Sequence, residues 1–438
     1  MIRISEAKQH DGEIIEIGGF VKQVRDLKKM QFVIIEDVSG QIQLSLQKNE
    51  ENAELNQLCT SVTPESAVRV TGKVHVDDFV KLGGVEIWPS EIIIESLSDS
   101  PLPIDMGDYI TTNRDLRLDW RYLDLRRRDH RLIFKVQTAA EMAMREYWIA
   151  NNFIEIHSPK IVGAATEGGA EVFKIQYYDK DAYLAQSPQF YKQMAIAAGF
   201  ERVFEVGPAF RAENSNTNRH AAEFISLDME MAWIKSHEDI MAFEERWLNY
   251  TIAKVKELYG EEIKEVFGKE LVVPEVPFPR VTIEQAKKII ADYGYTVPPE
   301  TKGDLDPEAE RLMGRYAREN FGHEFIFVTE YPAAVRAFYQ MRREDDPTKT
   351  KSFDLIWDGI EVTTGSQREH RYDKLRAQAI EKGISPESLQ SYLDYFRYGC
   401  PPHGGFGFGA ARFMMNLLGI DNIREVAFVH RGVDRLFP

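Results

Sequence analysis

The chain has 438 residues, 43% hydrophobic and 28% charged, with 70 acidic against 54 basic side chains and a formal net charge of -16. That length exceeds one compact core and calls for two or three domains, and the composition excludes a disordered or fibrous chain. The acidic balance argues against coating nucleic acid through bulk charge, although a local basic surface stays open. No stretch reaches the ~20 apolar residues that cross a bilayer, and the opening MIRISEAKQH lacks the apolar core of a secretory signal, so the cytoplasm is the expected compartment. Cys59 and Cys400 are too few for a disulfide framework or a thiolate zinc site.

From about residue 13 to 97, short alternating runs are broken by turns. EIIEIGGFVKQV, QFVIIEDVSGQIQLSL, AVRVTGKVHV and GVEIWPSEIII predict five strands, with one helical stretch near Asn49 to Cys59. Five strands and a helix in about 100 residues suggest a small barrel of the oligonucleotide-binding type over residues 1–100. SPLPIDMGD, followed by the arginine-rich RDLRLDWRYLDLRRRDHR, reads as a linker or hinge over 101–131. In the remainder, 132–438, Leu132 to Phe153 has helical apolar spacing and precedes a strand-like FIEIHSP. Strands then pair as hairpins between long helices, which favours an α+β antiparallel sheet over a doubly wound one. The acidic stretch from about Ser236 to Asp346 is expected as an insertion packed on the outside.

Three segments carry chemistry. In ERVFEVGPAFRAE, Phe204, Val206 and Phe210 share one face, while Glu205, Arg211 and Glu213 share the other. In EFISLDMEM, Ile225, Leu227 and Met229 oppose Phe224, Ser226, Asp228 and Glu230. The pair describes a hairpin whose charged floor faces a ligand or water. Arg211, Arg219 and His220 can hydrogen-bond phosphate oxygens, and Phe224 can stack on a purine. In HGGFGFGAARF the spacing of Gly405, Gly407 and Gly409 is not that of a dinucleotide fingerprint; it predicts a strand over which a flat ligand lies close to the backbone, with Arg412 in the first turn of the next helix. In FDLIWDGIEVTTGSQREHRYD, Asp358-Gly359 is a hairpin turn that pairs Asp354 with Thr363 and sets Asp354 and Glu361 on one face, either as exposed acids or as ligands for magnesium.

These segments, in this order, resemble the class II aminoacyl-tRNA synthetases. IHSPK, with Pro159, is similar to the end of motif 1, which in that class builds a homodimer interface; FRAE…RH…EF is similar to motif 2, and GFGFGAAR to motif 3. RLDWRYLDLRR, ATEGGAEVF, QSPQFYKQ and GSQREHR point to the aspartyl branch in its compact archaeal form. The resemblance implies ATP and L-aspartate as substrates, magnesium as cofactor, and the tRNA for aspartate as partner, with the tRNA for asparagine left open as a second one. It places Arg211 on the α-phosphate, Glu213 in the ATP site, Arg219 and His220 on the far phosphates, and Phe224 and Arg412 around the adenine. It places Asp354, Glu361 and a hydroxyl aligned with Thr364 on the metal, where the hairpin register favours Thr363 instead. Lys192 and Arg368 would clamp the side-chain carboxylate, and Glu167, Ser187, Gln189 and Asp228 would surround the ammonium group. Asparaginyl enzymes have a glutamate near the position of Lys192, so that lysine carries the choice of aspartate. In the barrel, Phe32 would stack on an anticodon base and Gln43 and Glu86 would read base edges, though QFVII alone makes Phe32 a core position. The linker arginines would form a hinge that also touches tRNA.

Two departures stand out. Position 411 is alanine where the family has an acidic residue, and the chain closes on FVHRGVDRLFP rather than an FPRD-type ending. Two alternatives therefore stay open: a tRNA-independent amidating ligase on the same core, against which the barrel counts, and a non-catalytic tRNA-binding paralogue, against which Arg211, Glu361, Arg368 and Arg412 count.

Overall fold

The computed structural model describes residues 1–107, 111–163 and 171–438, in two compact units, Met1–Asn113 and Arg114–Pro438. In the first unit, β1 (Ile14–Asp26), β2 (Met30–Glu36), β3 (Gln41–Gln47), β4 (Ala67–Val76) and β5 (Val85–Ser96) close in the order β1-β2-β3-β5-β4, with α1 (Ala53–Ser61) between β3 and β4. Alternation explains the closure: Val33, Ile35, Ile42, Leu44, Val68, Val70, Val74 and Ile87 fill the interior, while every second residue faces out. Phe32 is half-buried and lies outside this core. The core reading of QFVII therefore holds for Val33 and Ile35 and not for Phe32.

The second unit is built on an eight-stranded sheet. Its strands are β6 (Ile154–Glu155), β7 (Arg202–Phe210), β8 (Glu223–Ala232), β9 (Arg280–Thr282), β10 (Phe325–Thr329), β11 (Ser352–Trp357), β12 (Ile360–Gln367) and β13 (His403–Gly409), in the order β9-β10-β11-β12-β13-β8-β7-β6. All neighbours are antiparallel except β9-β10 and β6-β7. One face carries Phe204, Leu227, Met229, Phe327, Phe353, Leu355, Phe406 and Phe408, which form one core with α2 (Arg128–Ala150). That helix buries Leu132, Val136, Ala140, Met144 and Trp148 along one stripe. The opposite face of the central strands is polar and holds the cleft described below.

Two expectations fail here. The stretch 236–346 is not an external insertion. It supplies β9 and β10 to the sheet and the helix α4 (His237–Phe267), whose Trp247 stacks on Trp148 at 4.7 Å while Trp148 stacks on Phe204 at 4.6 Å. Its acidic surface reflects the solvent side of helices whose other side is core. Nor are the linker arginines available to tRNA as a set: Arg117 and Arg121 are 5% and 2% exposed and belong to the second unit. Arg117 bonds Asp124 at 3.1 Å and Glu425 at 2.5 Å, and Arg121 donates to Asp124 and to the carbonyls of Glu425, Ala427 and Phe428. Burial opposes ionisation of Glu425, but the hydrogen bonds from His130 and Arg117 hold it well below the usual carboxylate range. The cluster Asp124, His130 and Glu425 has metal-like spacing, yet guanidinium groups already supply its positive charge.

Candidate active site

A cleft of about 380 Å³ opens over the polar face of the central strands. Two antiparallel pairings frame its floor. Asp228 on β8, Gly407 on β13 and Thr364 on β12 lie in line across the sheet, as do Glu230, Gly405 and Ser366. The glycines make room for carboxylates: a Cβ at Gly405 would come within 2.5 Å of Glu230 Oε2, and one at Gly407 within 3.2 Å of Asp228 Oδ1. Gly407 and Gly409 line the cleft as expected of a strand that lets a ligand approach, whereas Gly405 serves the packing of Glu230.

The helix α3 (Gln189–Ala197) sends Lys192 down onto this floor. Its Nζ is 2.8 Å from Asp228 Oδ1, 3.1 Å from the carbonyl of Phe406 and 3.6 Å from Glu230 Oε2. Arg368, just beyond β12, reaches the same carboxylate from the other side: Nε lies 2.9 Å from Glu230 Oε1 and Nη2 3.3 Å from Glu230 Oε2, with Nη1 2.6 Å from Ser366 Oγ. The two cations therefore converge, but they are not a bare pair awaiting a ligand. Two buried positive groups need internal counter-charges, and Asp228 and Glu230 supply them.

At the other end the cations are more open. Arg211 continues from β7, sits 5.4 Å over the ring of Phe224 and lies 3.6 Å from Glu213. Arg219 reaches Glu310 at 3.2 Å, and His220 lies 3.6 Å from Glu213; burial and then neighbouring arginines press its pKa down against the pull of that carboxylate. Arg412, in the first turn of α5 (Ala410–Leu418), donates to the backbone carbonyl of Glu361 at 3.0 Å. Ala411 lines the same wall, so the departure from an acidic residue falls inside the cleft.

The β11-β12 hairpin corrects its expected register. Trp357 pairs with Ile360 and Ile356 with Glu361, but a bulge then sets Leu355 opposite Thr363 and Asp354 opposite Thr364. Thr364 thus faces the cleft and bonds Glu361 Oε1 at 3.1 Å. Thr363 points into the other face, where it donates to Glu244 at 2.5 Å. Asp354 is 3% exposed, lies behind the lining and is ion-paired with Arg336, which does line the cleft. Its Oδ1 has no hydrogen-bond partner among the described residues, and burial raises its pKa. A carboxylate with one orphaned oxygen, beside Glu361 and Thr364, fits the all-oxygen donor set of magnesium.

The cleft thus gathers Ser187, Gln189, Lys192, Arg211, Glu213, Arg219, His220, Phe224, Asp228, Glu361, Thr364, Arg368 and Arg412. Glu167 lies outside the described residues. Sequence reasoning missed Arg336, Tyr339 and Gln340, which descend from the loop after β10, and Glu310, which binds Arg219 and accepts from the Glu361 amide at 3.1 Å. The run YPAAVRAFYQ carries an aromatic-and-arginine signal, but only the tertiary fold brings it over the cleft. In the first unit, Gln43 lies opposite Glu86 and donates to it at 3.1 Å, and Phe32 lies opposite Ser45, which also bonds Glu86; the three residues share one outer patch of the barrel.

The family described as tRNA synthetases class II (D, K and N) matches residues 113–431, and the OB-fold nucleic acid binding domain matches residues 15–95. The aspartate–tRNA(Asp/Asn) ligase of Methanopyrus kandleri is 44% identical over 430 residues, covering 98% of this chain and 97% of that one. The aspartate–tRNA(Asp) ligase of Pyrococcus abyssi is 43% identical over 428 residues, at 98% and 97% coverage. Among solved structures, asparaginyl-tRNA synthetase from Pyrococcus horikoshii complexed with asparaginyl-adenylate superposes with a TM-score of 0.92 at 34% identity, covering 100% of this chain and 99% of that one. The aspartyl-tRNA synthetase of Entamoeba histolytica gives 0.88 at 32%, covering 100% and 92%. The chain belongs to the class II tRNA synthetase family (D, K and N) and, within it, to the group formed by the aspartate–tRNA ligases.

Proposed function

We infer that the protein activates L-aspartate with ATP and transfers it to the 3' end of the tRNA for aspartate. The observation that carries this reading is the convergence of Lys192 and Arg368 on one buried carboxylate, Glu230, at the end of a cleft whose other end holds Arg211, Arg219, His220 and Arg412. Aspartate brings both signs of charge to that network. Its side-chain carboxylate joins Glu230 as a partner of Lys192 and Arg368 while its ammonium group takes Asp228, so no buried charge is left alone. Asparagine cannot join in this way, and its amide would set an NH2 against two cations.

In the first step the aspartate α-carboxylate attacks the α-phosphorus of ATP in line, and pyrophosphate leaves. Arg211 steadies the α-phosphate and Glu213 the adenine end, Arg219 and His220 hold the departing phosphates, and Phe224 and Arg412 enclose the adenine. No protein nucleophile is required; positioning and charge neutralisation lower the barrier. Magnesium, held by Glu361 and Thr364 with Asp354 behind them, would supply Lewis-acid neutralisation of the phosphates. In the second step the terminal adenosine hydroxyl of tRNA attacks the aspartyl carbonyl and AMP leaves. Phe32, Gln43 and Glu86 would stack on and read anticodon bases from the outer patch of the barrel, a contact worth ~1–3 kcal/mol per stacked base.

We place the enzyme in the cytoplasm as a homodimer. No helix among the described residues is long and apolar enough to cross a membrane. Exposed Met142 and Ile149 give α2 an apolar outer side suited to a second copy. Charging assays with the purified tRNAs for aspartate and for asparagine test the reading: aspartylation of the first is required, and aspartylation of both would mark a relaxed anticodon site.

A further inference from the structure

Beneath the amino-acid end of the cleft runs a chain of buried side chains that no step above uses. His403, 0% exposed at the start of β13, has Nδ1 2.9 Å from the carbonyl oxygen of Pro401. A carbonyl only accepts, so Nδ1 carries the ring proton and Nε2 is left as an acceptor. Nε2 lies 2.9 Å from the amide nitrogen of Gln193, also 0% exposed. Burial presses the His403 pKa down to about 4, which keeps that acceptor available at neutral pH. With its nitrogen committed to His403, Gln193 turns its Oε1 the other way, where it accepts from the Tyr392 hydroxyl at 2.8 Å and from Gln189 Nε2 at 2.9 Å. Each link is directional, so the carbonyl of Pro401 decides, three side chains later, which end of the Gln189 amide is held down. Gln189 lines the cleft, and its Oε1 is the end left for it.

We propose that His403, Gln193 and Tyr392 are positioning residues that fix the polarity of Gln189, so that it presents an acceptor to the α-ammonium group of the bound amino acid. This rests on the assignment of Gln189 to the amino-acid slot. A chain that merely filled space would tolerate either amide orientation; this one specifies a single orientation from a backbone carbonyl outward.

The test compares aspartate with succinate, the same diacid without the ammonium group. In ATP–pyrophosphate exchange, Gln193→Met should raise the KM for aspartate about ten-fold, as expected for losing one hydrogen bond to a charged group. The KM for ATP and the inhibition constant of succinate should change less than about two-fold. Tyr392→Phe removes one hydroxyl from a ring that stays packed on Phe190, and should move the aspartate KM in the same direction by less. Parallel weakening of aspartate and succinate, or an unchanged aspartate KM in both variants, would overturn the proposal. Absence of aspartate-dependent exchange in the unaltered protein would instead overturn the assignment beneath it.

Discussion

At one end of the cleft the side chains of Lys192 and Arg368 are 2% and 3% exposed, while at the other those of Arg211 and Arg412 are 45% and 27% exposed. The same kind of charge is therefore used in two physical regimes. Buried cations interact strongly and pay heavily for desolvation, so their partners must match; they discriminate. Open cations lose little on binding and are screened by salt, so they supply affinity for any polyphosphate of the right reach. On the proposed function, the enzyme must reject one amino acid yet grip a common nucleotide, which is a reason to bury the first set and expose the second.

The contrast can be broken at either end. Lys192→Ala should have the largest effect: aspartate-dependent exchange disappears, ATP binding stays measurable, and the uncompensated Asp228 costs stability on the order of 3–5 kcal/mol in chemical denaturation, while Glu230 keeps Arg368. Retained exchange would remove the specificity argument. Glu361→Gln should abolish exchange at every magnesium concentration while leaving the melting temperature close to that of the parent, because this side chain is one-third exposed; full activity would show that the metal assignment is wrong. Arg211→Ala should lower exchange by roughly 100-fold without loss of stability, the open arginine having little packing to lose. A stability loss as large as that of Lys192→Ala would erase the distinction between the two ends.

The smallest effect concerns Glu244, fully buried under β12, where it accepts from Thr363. Burial pushes its pKa up to about 8. A carboxyl group whose folded pKa lies above its unfolded value of ~4.3 loses stabilising influence as pH rises from that value toward the folded one. Glu244→Gln should therefore match the parent near pH 4 and exceed it in melting temperature at pH 7. Equal melting temperatures at both pH values would show that the carboxyl titrates normally.

Much of this was legible in the sequence because it is local. Alternation in EFISLDMEM put Asp228 and Glu230 on one polar face, Asp358-Gly359 marked the hairpin, and the glycines of GFGFG marked a strand of which Gly407 and Gly409 line the cleft. The Thr363 assignment failed because a bulge near Val362 shifts the register by one residue, and nothing in IEVTTG signals it. The stretch 236–346 was misplaced because acidic helices look external even when their apolar stripe, here Ile240, Phe243, Trp247 and Leu248, lies in the core. Arg336 and Glu310 were missed for a similar reason. Their contacts with Asp354 and Arg219 join segments far apart in the chain. The pairing of the clamp itself was hidden too, since a sequence shows which charges exist but not which are already matched.

The central claim is that two buried cations select a carboxylate over an amide. It is tested most directly by ATP–pyrophosphate exchange of the unaltered protein with aspartate and with asparagine at equal concentrations. Exchange with aspartate at least ~100-fold faster than with asparagine is the predicted result. Comparable rates, or faster exchange with asparagine, would contradict it.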